Sequence, residues 1–203
     1  MRLRDRDISP SASKTNMSQT ISPAIADLIR TRRTIHSFKP EQPAAELIEQ
    51  AIELARWAPN HRLTEPWRFH VLGPQTIAAI VELNAQITAA KGGAEAANKK
   101  RQQWASVPSW VLVTCARNVD EILHHEDYAA CCCAIQNFTI GLWSAGVGVK
   151  WTTGKVTRDP EFLKIVGVNP DERMVVGMLW LGYPQEIPLQ ARKSVDEITV
   201  RLP

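Results

Sequence analysis

No stretch of this chain approaches the roughly 20 consecutive apolar residues that a membrane-spanning helix requires, and the amino terminus lacks the apolar core of a secretory signal. Neither a membrane span nor export is indicated, and a reduced cytoplasm is the expected setting. G-x-G-x-x-G and G-x-x-x-x-G-K-[ST] are both missing, so a dinucleotide-binding Rossmann turn and a P-loop are not signalled. The absence of G-x-S-x-G likewise removes the nucleophile elbow of a hydrolase. Cysteine is sparse, with four in all, and three of these are consecutive at Cys131, Cys132 and Cys133; no C-x-x-C pair offers a zinc ligand set or a redox dithiol. Charge of one sign is also scarce. The formal excess is +3 with a pI near 8.7, and much of it sits in the first six residues and in scattered arginines, so nucleic acid is not demanded as a partner.

What is present is an ordinary globular composition. The 203 residues are 44% hydrophobic and 22% charged, enough for one domain with a real core. Residues 1–20, "MRLRDRDISPSASKTNMSQT", are polar and nearly free of large apolar side chains, which predicts a disordered extension; Met17 is a candidate for the original start. The remainder, residues 21–203, reads as a single domain. Ser22 and Pro23 suit the cap and first turn of a helix over "AIADLIRTR", and apolar residues at helical spacing predict a second helix after Lys39-Pro40. "RFHVLG" alternates like a strand, and residues 75–104 read as two helical pieces broken at Gly92-Gly93. "SWVLVTCA" predicts a buried strand. The segment from about Glu126 to Ser144, apolar or small on nearly every face, predicts a central buried helix. "VGVKWTTG" reads as a short strand or loop, "DPEFLKIVGV" as a helix opened by Asp159 and Pro160, and "RMVVGMLWLGYP" as the last core strand. Mixed elements without strict βαβα order predict an α+β layered fold.

Two clusters invite chemistry and are better read as structure. In "HHED", His124 to Asp127, adjacent helical residues point in different directions and cannot readily share one metal ion, so the reading is a solvated helix start and no metal site. Cys131 to Cys133 read as small core fillers. "RTRRTIHSFKP" is different. Arg32, Arg33 and Thr34 fall where the first helix ends, and guanidinium forks beside a hydroxyl suit a phosphate monoester. Taken alone, the same cluster reads more readily as a basic helix terminus complementing the macrodipole.

The stretch "RRTIHSF" resembles the amino-terminal signature of the FMN-dependent nitroreductase family. "WAPNHRLTEPWRFHVL" is similar to that family's APS-x-x-N-x-QPW-x-F segment, and "GVGVKWTTG" followed by "LKIVGVNPDERMVVGMLWLGYP" is similar to its late glycine-tryptophan and GYP segments. The matches keep the family's order over roughly residues 22–200, closest to its shorter branch of NAD(P)H nitroreductases. The resemblance implies an α+β, three-layer α/β/α sandwich around a mixed, mainly antiparallel sheet, assembled as an intertwined homodimer with FMN in each of two clefts between subunits. It implies that Arg32, Arg33, Thr34 and Arg192 hold the FMN phosphate, that Trp57 and His61 face the flavin from one side, and that Trp151, Thr152 and Thr153 approach it from the other. His36 stands where many relatives carry lysine or arginine near the flavin edge, and Glu65 replaces the QPW glutamine. The activity implied is ping-pong transfer of two electrons from NADH or NADPH through flavin N5 to a small-molecule acceptor, a nitroaromatic or quinone, with no protein acid or base required. Relatives with the same fold dehalogenate iodinated aromatics, break down flavin or oxidise azolines, and a flavin-binding protein without catalysis is the remaining alternative.

Overall fold

The structure is a computed structural model and describes residues 20–203; the expected disordered extension, apart from Thr20, lies outside the described residues. Helix α1 spans Pro23–Thr31 and α2 spans Ala45–Ala55. Strand β1 (Trp67–Val71) leads into α3 (Pro74–Ala105), β2 (Ser109–Ala116), α4 (Glu121–Ser144), β3 (Gly148–Thr152), α5 (Pro160–Ile165) and β4 (Arg173–Gly182).

The four strands form one sheet in the order β1-β2-β4-β3, and every neighbouring pair is antiparallel. The expected mixed character survives only as an isolated parallel bridge between Thr34 and Val149. Alternation along each strand sorts the core into two layers. Val111, Val113 and Cys115 of β2, with Leu179 and Leu181 of β4, pack beneath α2 and α4. Trp110, Leu112, Met178 and Trp180 face α3 and α5 instead. There Trp104, Trp110 and Trp180 meet with ring centroids 5.1–5.6 Å apart. Helices therefore cover both faces of the sheet, which is the three-layer sandwich.

Several boundaries differ from the sequence reading, each for a local reason. The central helix starts at Glu121, five residues before the predicted Glu126, because the Asp120 carboxylate accepts from the backbone N–H of Ile122 (2.9 Å) and Leu123 (3.2 Å). "HHED" consequently lies inside the helix, and Asp127 faces the sheet, only 2% exposed; it is not on a solvated end. The cysteine run divides for the same geometric reason, since successive helical residues turn by about 100°: Cys131 is buried, Cys132 half-buried and Cys133 exposed, so only the first fills core. A hydrogen bond to Cys115, then burial, pushes the Cys131 thiol well up, leaving it inert. Ser22 precedes α1 as expected, yet its side chain makes no capping bond. The predicted break in residues 75–104 falls at Gly93, where φ 77° and ψ −179° interrupt an otherwise continuous α3. Among the described residues no helix is long and apolar enough to cross a membrane.

Candidate functional site

α1 stops at Thr31 because Arg32 leaves helical space for an extended conformation (φ −56°, ψ 130°) after its N–H bonds to the carbonyl of Leu28. The next residues run along the edge of β3. Ile35 N–H donates to the carbonyl of Val149 at 3.2 Å, and Thr34 bridges the same residue. Ile35 is fully buried and fills the space where Gly148 has no side chain; a Cβ there would lie 2.4 Å from Ile35 Cγ1. With Ile35 pointing inward, alternation sends Thr34 and His36 out, and both are exposed.

This anchoring gathers positive charge. Arg32 and Arg33 are half-buried, and Arg192 arrives from the exposed segment that follows β4. Burial holds the Arg32 guanidinium below the ordinary arginine range, and repulsion from Arg192 and then Arg33 lowers it further. Arg33 Nη1 donates to the carbonyls of Arg30 (2.5 Å) and Arg32 (2.9 Å), which aims it back over the helix end. Among the described residues none of these three arginines is in a salt bridge. Mutual repulsion at a half-desolvated position is unfavourable by itself, and a bound dianion is what would offset it.

Trp151 lies one strand position pair from that bridge, on the same face of β3 as Val149. Its indole rests across β4 at Gly177, with Nε1 donating to the Val176 carbonyl at 3.3 Å. A Cβ on Gly177 would stand 1.9 Å from that nitrogen, so the ring can lie there only because the residue is glycine. The register of β2 against β4 shifts between Val113 and Thr114, so that Val176, whose carbonyl meets the ring, is skipped in the pairing. Trp151 remains 37% exposed, a flat aromatic wall open to solvent on one side. Thr152 is half-buried and Thr153 exposed beyond it.

Trp57 and His61 belong to the turn between α2 and β1. Trp57 is 70% exposed, its Nε1 donates to Glu53 Oε1 at 3.1 Å, and it lines a largely apolar groove of about 390 Å³ between α1, α2 and α4 with Leu28, Leu54 and Ile140. His61 opens a short 3₁₀ turn, His61–Leu63, and is exposed. Of the ten residues named from the sequence, the fold thus brings the three arginines together and sets Thr34, Trp151 and Thr152 along the adjoining strand, with His36 and Thr153 exposed just beyond, while Trp57, bonded to Glu53, and the exposed His61 stand on a separate turn. Sequence reasoning missed Gly148 and Gly177, the glycines that make room for Ile35 and Trp151. For Gly177, a glycine inside a strand was the available signal.

Residues 29–183 match the model of a family described as the nitroreductase family. YfhC of Bacillus subtilis (strain 168), provisionally named an NAD(P)H nitroreductase, is 33% identical over 168 residues, covering 81% of this chain and 86% of its own. Among solved structures, a nitroreductase-like family protein from Bacillus cereus superposes with a TM-score of 0.78 at 27% identity, covering 91% of this chain and 99% of that one. A provisionally named nitroreductase of Desulfovibrio desulfuricans, in complex with FMN, superposes with a TM-score of 0.70 at 21% identity, covering 91% and 99%.

Proposed function

The chain belongs to the nitroreductase family, and from that membership we propose that it is an FMN-dependent oxidoreductase taking electrons from NADH or NADPH and reducing a small-molecule acceptor such as a nitroaromatic or a quinone. The observation that carries the reading is the guanidinium cluster. Arg32 is held half-buried against Arg33 and Arg192 with no salt-bridge partner among the described residues, and a phosphate dianion meets that demand with charge-assisted, directional bonds. Arg32, Arg33, Arg192 and the Thr34 hydroxyl hold the phosphate. The exposed face of Trp151, laid over Gly177, walls the cleft, with Thr152 and Thr153 offering hydroxyls beside it. Trp57 and His61 close the site from the α2–β1 turn, and His36 supplies a ring nitrogen at its edge. When bound, FMN would supply the redox chemistry, carrying two electrons from the nicotinamide to the second substrate. The protein's part is to position donor and acceptor in turn and to exclude neither, so both halves of a ping-pong cycle use one cleft. Two copies of the chain form a homodimer with two clefts along its interface, and the apolar groove beside Trp57 lies on that covered face.

The test is direct. Purified protein titrated with FMN should quench flavin fluorescence at an equimolar endpoint, and the bound flavin should bleach on addition of NADH or NADPH and recover with nitroaromatic or quinone. A panel that adds iodinated aromatics and free flavin separates nitro reduction from the family's other chemistries. Absence of FMN binding overturns the reading, and binding without bleaching by either nicotinamide reduces it to a flavin-binding protein.

A further inference from the structure

The turn that carries His61 is strained. Arg62, Leu63 and Glu65 have φ of 55°, 52° and 44°, and none is glycine. Residues with a Cβ avoid the left-handed region, and several in succession persist only where the surroundings over-determine the backbone. Here the surroundings are a chain of side chains. Asn60 Oδ1 accepts from the backbone N–H of Glu65 at 2.7 Å, and Asn60 Nδ2 donates to Thr64 Oγ1 at 2.9 Å. Thr64 Oγ1 in turn donates to Asp127 Oδ1. Asp127 belongs to α4, in the layer that packs on the sheet, and is 2% exposed.

The direction of these bonds matters. A threonine hydroxyl has one proton, and a carboxylate acts as an acceptor, so Asp127 draws that proton and leaves the hydroxyl's lone pairs for Asn60. With its amide nitrogen committed to Thr64, Asn60 presents its oxygen to the Glu65 N–H. One buried carboxylate therefore orients the whole chain. We infer that Asp127 is a positioning residue, holding the strained 60–65 turn through Thr64 and Asn60 so that His61 stands at the flavin cleft. The inference rests on the FMN reading for what the turn faces, and on geometry alone for how the turn is held.

The experiment compares the parent protein with Thr64→Val, Thr64→Ser and Asp127→Leu. Thr64 is exposed, so its variants fold whatever becomes of Asp127→Leu. Two quantities are read: amide hydrogen exchange in the 60–66 segment without added flavin, and FMN affinity by fluorescence titration. Loss of one net hydrogen bond corresponds to about a fivefold to tenfold effect. Thr64→Val should speed exchange in the segment by about that factor and weaken FMN binding similarly, and Thr64→Ser, which restores the hydroxyl, should return both to the parent values. Unchanged exchange in Thr64→Val overturns the clamp. Faster exchange with unaltered FMN affinity shows a clamped turn that positions nothing, and overturns the assigned role. Should the parent itself bind no FMN while exchange responds as described, the clamp stands and the flavin reading fails.

Discussion

At the scale of single residues, the chain tolerates charges in unfavourable company. Arg32 is held beside two other guanidinium groups, an arrangement that a phosphate dianion would relieve. Arg32→Ala should weaken FMN binding by about tenfold or more, the factor that corresponds to losing a charge-assisted bond of roughly 1.5–3 kcal/mol, while riboflavin, which lacks the phosphate, should bind poorly to parent and variant alike. Fluorescence titration with the two ligands decides it, and equal FMN affinity removes Arg32 from the site. His70 shows the same principle without a ligand. Burial, then repulsion from Arg173 and Arg68, lowers its pKa below the ordinary 6.5, and its Nε2 lies 3.1 Å from the buried Thr114 hydroxyl. The unfolded chain takes up a proton that the folded chain refuses, so the contribution to stability is complete above the ordinary value and is lost as pH falls from there towards the lowered one. Urea midpoints measured between about pH 7.5 and 5, spanning the ordinary histidine range, should therefore fall more steeply for the parent than for His70→Gln. Parallel curves would exclude His70 as the source.

At the scale of elements, glycine and aspartate set where helices bend and begin. α3 runs for 32 residues but changes direction at Gly93, whose φ of 77° with ψ of −179° is nearly confined to glycine. Gly93→Ala should destabilise the fold by about 1–3 kcal/mol, and Gly92→Ala, at a helical position one residue earlier, should change stability by less. Chemical denaturation of the two variants separates a backbone requirement from a general intolerance of alanine; equal effects would mean that the kink is not what demands glycine. The Asp120 carboxylate caps α4 through the Ile122 and Leu123 N–H groups, so the helix begins five residues before the apolar pattern predicts. Further along the same helix, Asp127 lies on the buried face, where it meets the Thr64 turn.

At the scale of the molecule, apolar surface is left over. α1 has no buried residue although Ile25 and Ile29 lie along it, at 55% and 54% exposed. Leu54 and Trp57 are open beside it, and Ile198, Val200 and Leu202 are exposed on the carboxyl-terminal segment. Exposed apolar surface such as that shared by Leu28, Leu54 and Trp57 marks an interaction face, and the proposed homodimer would cover it. Light scattering at micromolar concentration should give about twice the 22.7 kDa chain mass. Leu54→Glu, which places a charge on that face without removing core, should shift the protein towards monomer and weaken FMN binding together. A monomeric parent that binds FMN as tightly as the reading requires would sink the shared cleft.

Element identity was legible along the chain because it follows from local periodicity. The β2 strand was predicted with the boundaries observed, β4 was legible as the last core strand, and the break at Gly92-Gly93 from glycine chemistry. The arginine pair was legible as a basic cluster because both residues are adjacent in sequence. Other features depend on residues far apart, and no local pattern encodes them. Arg192 reaches Arg32 across 160 positions, Trp151 requires the absence of a side chain at Gly177, and Asp127 meets Thr64 across 63 positions. Within His124 to Asp127, His125 and Glu126 are exposed as the solvated reading expects, and Asp127 turns inward; its charge was visible in the sequence and its facing was not. Which side of a helix is buried is decided by what packs against it, and only the folded chain brings α4, the sheet and the strained turn together.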